Sequence, residues 1–452
     1  MNEVYFNDLW PQDQSQSVVQ PRSSWIRNPT LGRSNMDQHL KSPIGVKDFT
    51  RMASLLCRSI PPTVGGDASL RGSHILFILD EYERLRLCKF FLPLPPSKKG
   101  MLVSRLENSG TALWLMYLGA KILRALSESS SSSIVQPYVH WINKFDQQAT
   151  SLCQNASLDD LGNRFTALIE LSFLKFVVVG CAAGYSVLRR SAPMFFQLFA
   201  ADPSLWSERN GHLLISLSRA LSAERYEIRR FVFYDTMLAL VLGLPPLVEY
   251  DSSEFPIISK LVEPLDGVHG VPIELIVNIV QVNAWRAAHL DVPNTNGWMG
   301  LEVRTLTWDP RTEDIQGGDS CEVVTRLAVQ ESWRHAVLIY IYMGMCGLPS
   351  SDFRVQSSVQ QIIRLIKLIS SAPVDIHLFA PCVVAGVAAQ YEHQRATVRD
   401  KLESFSGIRV WLCRGTDLVP VLDHLWHGVG RDGGTVTWED YVRSRNAVLP
   451  IL

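Results

Sequence analysis

The eight cysteines of this 452-residue chain form no C-x-x-C pair. Cys57, Cys88, Cys153, Cys181, Cys321, Cys346, Cys382 and Cys413 stand singly, none with a histidine at finger spacing. A structural zinc site needs four ligands gathered by short local spacings, so no metal site is expected and the thiols read as reduced, small apolar side chains. Charge of one sign is lacking too: the formal net charge is -1 and only 19% of residues are charged. Such a balance gives no bulk attraction to phosphate, and the basic stripe usual in nucleic-acid-binding domains is missing. No charged-then-apolar leader occupies Met1 to Gln20, so an intracellular chain is expected. The most apolar run, Leu171 to Leu188 (LSFLKFVVVGCAAGYSVL), is interrupted by Lys175. At about 18 residues it reaches only the lower edge for crossing a bilayer, and it reads as a buried helix rather than a membrane span.

Strand-type alternation is nearly absent as well, and what remains is helical pattern in a chain that is 47% hydrophobic, enough to bury a large core. The segment Glu331 to Ile369, ESWRHAVLIYIYMGMCGLPSSDFRVQSSVQQIIRLIKLI, is its clearest expression. Trp333, Ala336 to Met343 and Met345 leave hardly any polar face, which places that helix in the centre of the core. Gly347 and Pro349 end it, and Ser350, Ser351 and Asp352 offer N-cap oxygens for a second helix. There Val355, Val359, Ile362, Ile363, Ile366 and Ile369 recur at steps of three and four. The pair is an αα-hairpin whose second helix faces water.

Further helices are expected over His74 to Phe91, Glu107 to Ser127, Leu158 to Arg189 with a break at Gly180, and Gly211 to Gly243 in one or two parts. Others are expected over Pro272 to Leu290, Ser320 to Met345, Phe353 to Ser371, Pro381 to Phe405 and Val436 to Leu449. Residues 1–45 are rich in Gln, Ser, Asn and Pro and read as a disordered polar arm; residues 46–452 read as one large helical domain with an irregular loop at 291–319. The fold class is all-α, an irregular array of packed helical hairpins without a fixed repeat period.

Groups arranged for a reaction are scarce, and no catalytic residue is assigned. Asp80, Glu81 and Glu83 form an acidic cluster of the kind that holds magnesium and diphosphate in isoprenoid-type enzymes, but no second acid-and-amide cluster faces it, and Arg84 and Arg86 are close by. His424 and His427, with Asp423, have a spacing that suits a metal but bring no H-E-x-x-H pattern. The run GVGRDGG, Gly428 to Gly434, lacks the lysine and Ser/Thr of a phosphate loop, and no G-x-S-x-G elbow occurs.

Three segments, in order, resemble the fungal-specific transcription factor domain, the regulatory region of fungal zinc binuclear-cluster transcription factors. The first is RRFVFYDTMLALVLGLPPLVEYD, where Tyr234 and Asp235 open the motif, Gly243 and Pro245 make the turn, and Tyr250 and Asp251 close it. The second is the hairpin at Trp333. The third is RVWLCRGTDLVPVLDHLWHG with WEDYVRS, Arg409 to Ser444, and GVPIELIVNIVQVNAW, Gly270 to Trp285, matches between the first two. The resemblance covers roughly 46 to 452. It implies a nuclear regulator that is not an enzyme, works through protein partners (co-regulators or self-association) and responds to a small-molecule effector whose binding residues are unassigned. Family members carry six cysteines around two zinc ions in a DNA-reading module. These 452 residues contain no such set, so the expectation is control of transcription without direct DNA binding and without a cofactor of its own. Two alternatives stay open: a magnesium-dependent helical enzyme using Asp80, Glu81 and Glu83, and a non-transcriptional helical scaffold. PSKKG, Pro96 to Gly100, is too weak a basic run to serve as a nuclear signal.

Overall fold

The computed structural model describes residues 68–451 apart from 90, 92–96, 129–131, 151–156, 210, 254–267, 289–296, 311–318, 370–371 and 408–410. The chain divides into two units, Met1–Ser73 and His74–Leu452, and the elements from His74 onward belong to the second. The arm expected over 1–45 and the onset of helix at 46 fall outside the described residues.

Sixteen α-helices carry the described chain. The first six are α1 (Ala68–Lys89), α2 (Ser97–Asn108), α3 (Gly110–Glu128), α4 (Gln136–Thr150), α5 (Leu158–Val178) and α6 (Cys181–Ala200). The α5–α6 hairpin turns where expected, at Gly180, whose φ of 141° lies outside the range L side chains favour. Its helices approach closely because Gly184 has no side chain: a Cβ there would come within 2.3 Å of the Phe176 ring. The apolar run Leu171 to Leu188 is thereby folded back on itself over two helices. Among the described residues no helix is long and apolar enough to cross a membrane.

A small sheet follows, and it corrects the expected all-helical run from Gly211. Strand β1 (Trp206–Arg209) pairs antiparallel with β2 (His212–Ser216), Trp206 opposite Ile215. A turn through Gly211, with φ 77°, joins them. Helices α7 (Leu217–Ser222) and α8 (Tyr226–Leu242) come next, then the two-residue strand β3 (Tyr250–Asp251), parallel to β2. Asn210-Gly211 between apolar runs was the hairpin signal that the helical periodicity around it concealed.

The remaining helices are α9 (Ile273–Ala288), α10 (Gly297–Leu306), α11 (Ser320–Tyr340), α12 (Phe353–Leu368), α13 (Phe379–Ala388), α14 (Glu392–Glu403), α15 (Gly415–His427) and α16 (Trp438–Val448). The expected central helix is α11: Trp333, Tyr340 and Ile341 are buried, and the helix closes in a π-turn over Ile341–Met345. There the Leu348 N–H reaches back to the Tyr342 carbonyl at 2.9 Å, with Gly347 left-handed at φ 68°, so the helix end satisfies its own carbonyls. Asp352 caps α12 through the Arg354 N–H at 2.9 Å, and the apolar stripe of α12 faces inward as expected while Gln360 and Arg364 are exposed.

Three further expectations need correction. The helix expected over Pro381 to Phe405 is two helices, because Ala389 and Tyr391 are extended and the Gln394 side chain accepts the N–H groups of Gln390 and Tyr391. The loop expected over 291–319 contains α10, whose weak local propensity is overridden by burial of Leu301 and Thr305 and by a 2.9 Å hydrogen bond from Asn278 to the Thr305 hydroxyl. Helix α4 has no counterpart among the expected helices, although buried Trp141 and Ile142 mark its inner side.

Candidate functional site

The segments that carried the resemblance lie far apart in sequence, and the fold brings them into one buried polar seam. At its centre is α8. Asp235, 1% exposed, accepts the backbone N–H groups of Leu247 (2.7 Å) and Val248 (3.2 Å) and the Tyr250 hydroxyl (3.0 Å). One carboxylate thus fixes the whole exit of the Gly-x-Pro turn. Burial drives its pKa up to about 7, against the lowering effect of those three donors. Asp251 receives the Ser207 hydroxyl at 2.8 Å, tying the exit to β1. One turn earlier on α8, Arg230 donates to the Tyr234 hydroxyl at 2.6 Å and to Glu170 of α5 at 2.5 Å.

The end of α8 is closed from the opposite terminus of the domain. Gly243 is left-handed at φ 60°, and the carbonyls of Val241 and Leu242 accept the Tyr441 hydroxyl and the Arg445 guanidinium of α16. A side chain at Gly243 would meet Val442 at 2.8 Å. The last helix therefore caps the signature helix, supplying donors to carbonyls that have no intrahelical partner.

Helices α9 and α11 complete the seam. Asn283 donates to the Thr236 carbonyl at 3.1 Å and accepts the Tyr340 hydroxyl at 2.7 Å. Arg286 reaches the Gly344 carbonyl at 3.1 Å and Glu439 at 2.7 Å. The turn after α11 is bound to the entry of α16 by a reciprocal pair: Ser350 N–H to the Val436 carbonyl at 2.8 Å, and Val436 N–H to the Ser350 hydroxyl at 2.9 Å. Tyr340 packs on Trp438 with ring centroids 4.7 Å apart. A cavity of about 10 Å³ beside Thr236, Val248, Tyr250 and Asn283 has room for a single water, not for a metabolite. The hydrogen bonds of the seam tie the signature segments to one another and to their neighbours, so its chemistry is that of a structural joint.

The other sequence candidates are scattered. Asp80 is exposed, whereas Glu81 is buried and held by Arg84 at 3.2 Å and Arg124 at 3.3 Å. Asp423 pairs with Arg399 at 2.7 Å, His424 lies 3.1 Å from the Ser444 hydroxyl, and His427 is exposed. Among the described residues no three of His, Cys, Asp and Glu gather as a metal ion would require. The glycines from Gly428 form a turn around the left-handed Asp432, braced by Arg395 on the Gly430 carbonyl at 2.6 Å. Cys181 and Cys413, distant in sequence, do meet in the core, where burial beside Cys413 and Asp417 raises the Cys181 thiol well above its ordinary value. Sequence spacing held no sign of that meeting.

Comparison with known proteins agrees with the seam. Residues 198–451, more than half of the chain, match the family model described as the fungal specific transcription factor domain. No curated protein and no solved structure matches.

Proposed function

From the premise that the chain belongs to the fungal-specific transcription factor domain family, we propose that it controls transcription by binding protein partners, with DNA reading supplied by another subunit. The observation that carries this reading is the seam: the segments that carry the resemblance are spent on holding α8, α9, α11 and α16 together, which leaves the outer helical faces as working surface. The protein works in the nucleus, as a scaffold of partner contacts and not as an enzyme, and needs no cofactor. A metabolite effector would need a cavity larger than the single-water space beside Thr236.

The test is to fuse the full chain to an unrelated DNA-binding domain in a fungal cell, follow its localisation, and read a reporter placed beside the cognate site. A change in reporter output with nuclear accumulation is expected. An unchanged reporter with a cytoplasmic chain overturns the proposal. The competing enzyme reading predicts magnesium-dependent turnover of a diphosphate substrate that is lost in Asp80→Ala.

A further inference from the structure

Helix α10 turns the usual order of a surface helix inside out. Its inner side holds Leu301 and Thr305, and its charged side chains are drawn sideways: Glu302 accepts the Tyr342 hydroxyl at 2.7 Å, and Arg304 donates to Asn278 at 3.1 Å and to Gln281. Three large apolar side chains face outward. Met299, Val303 and Leu306 are 49%, 56% and 52% exposed and follow the i, i+4, i+7 spacing of a single helix face. Gly300 sits among them with nothing within 4 Å of where a Cβ would stand, so a second backbone could approach closely there. To one side of this face the Arg354 guanidinium lies 5.7 Å from the Trp298 ring and 5.7 Å from the ring of Phe353, which is 76% exposed. A run of this length on a surface marks an interaction site, unlike single exposed apolar residues.

The charge beside the stripe decides what fits it. Arg304 is exposed, and its hydrogen bonds go to two neutral amides; among the described residues no carboxylate pairs with it. A second copy of this chain is a poor occupant. Packing α10 antiparallel on itself about a two-fold axis at Val303 sets the two Arg304 side chains on the same side of the joint as neighbouring like charges. An acidic partner has no such penalty. We infer that the outer face of α10 is the docking surface for an amphipathic helix of a partner protein that carries apolar anchors at i, i+3 or i+4 and i+7 and a carboxylate opposite Arg304.

This inference rests on the partner-binding reading above and names its surface. The experiment uses the full chain and two fluorescein-labelled helical peptides that differ in one residue. Both carry leucines at the anchor spacing, and beside the central leucine one has glutamate and the other lysine. Fluorescence anisotropy is expected to show the glutamate peptide binding about ten-fold or more tightly than its lysine twin. Val303→Glu is expected to abolish binding of the glutamate peptide, and Arg304→Glu to reverse the preference, each with an unchanged circular dichroism melt. Equal binding of the two peptides, no binding of either, or binding indifferent to Val303→Glu overturns the inference. So does a dimer in light scattering that Val303→Glu dissolves, since that assigns the stripe to self-association. A fused chain that still drives the reporter while the peptides fail shows that this surface is wrong and the regulatory reading stands.

Discussion

The seam and the α10 face are built from opposite materials. In the seam, buried polar groups from α8, α9, α11 and α16 hydrogen-bond to one another. On α10, three apolar side chains of one helix face are about half exposed to water. A buried donor or acceptor left without its partner costs more than the bond contributes, so each seam residue constrains several others. An exposed apolar side chain constrains nothing in its own chain. The segments that carry the family resemblance therefore meet in the joint.

Breaking the seam should cost far more than altering the face. Tyr340→Asp or Ile341→Asp places an unpaired charge at the centre of the core and should abolish soluble folding, read by expression and far-ultraviolet circular dichroism. Asp235→Ala strands two backbone N–H groups and the Tyr250 hydroxyl, and should lower unfolding free energy by about 3 kcal/mol in urea titration. The same carboxyl gives the joint a pH dependence. Its folded pKa of about 7 lies above the ordinary 3.8, so the native state holds a proton there that the unfolded chain has released. Stability from Asp235 is full below pH 3.8 and is lost as pH rises through about 7; Asp235→Asn should remove that slope. Tyr441→Phe deletes one hydrogen bond to the end of α8 and should cost about 1 kcal/mol. Gln360→Ala, on the wet side of α12, should be silent to within about 0.5 kcal/mol. Comparable losses at Gln360 and Tyr340 would erase the distinction between core and face.

Much of the helical fold was legible because burial leaves a period in the sequence: the α11–α12 hairpin and the break at Gly180 follow from apolar spacing and from glycine. What was illegible depends on contacts at long range. Helix α10 is held by Asn278, and the division between α13 and α14 hangs on one glutamine side chain. The candidate residues show the same divide. Tyr234, Asp235, Gly243 and Tyr250 stood out as a motif, yet the roles of Asn283, Tyr441 and Arg445 emerge only when the segments meet. Met299, Val303 and Leu306 sit in a stretch rich in Gly, Asn and Pro that reads as loop, so their common face was hidden until the helix was seen.

On the reading proposed above, the seam builds the domain and the α10 face meets its partner. The most direct measurement is reporter output per folded molecule for the DNA-tethered full chain carrying Val303→Glu. Output is expected to fall to the level of the bare DNA-binding domain while the thermal unfolding midpoint stays that of the unsubstituted chain. Undiminished output from a chain of unchanged stability would contradict it.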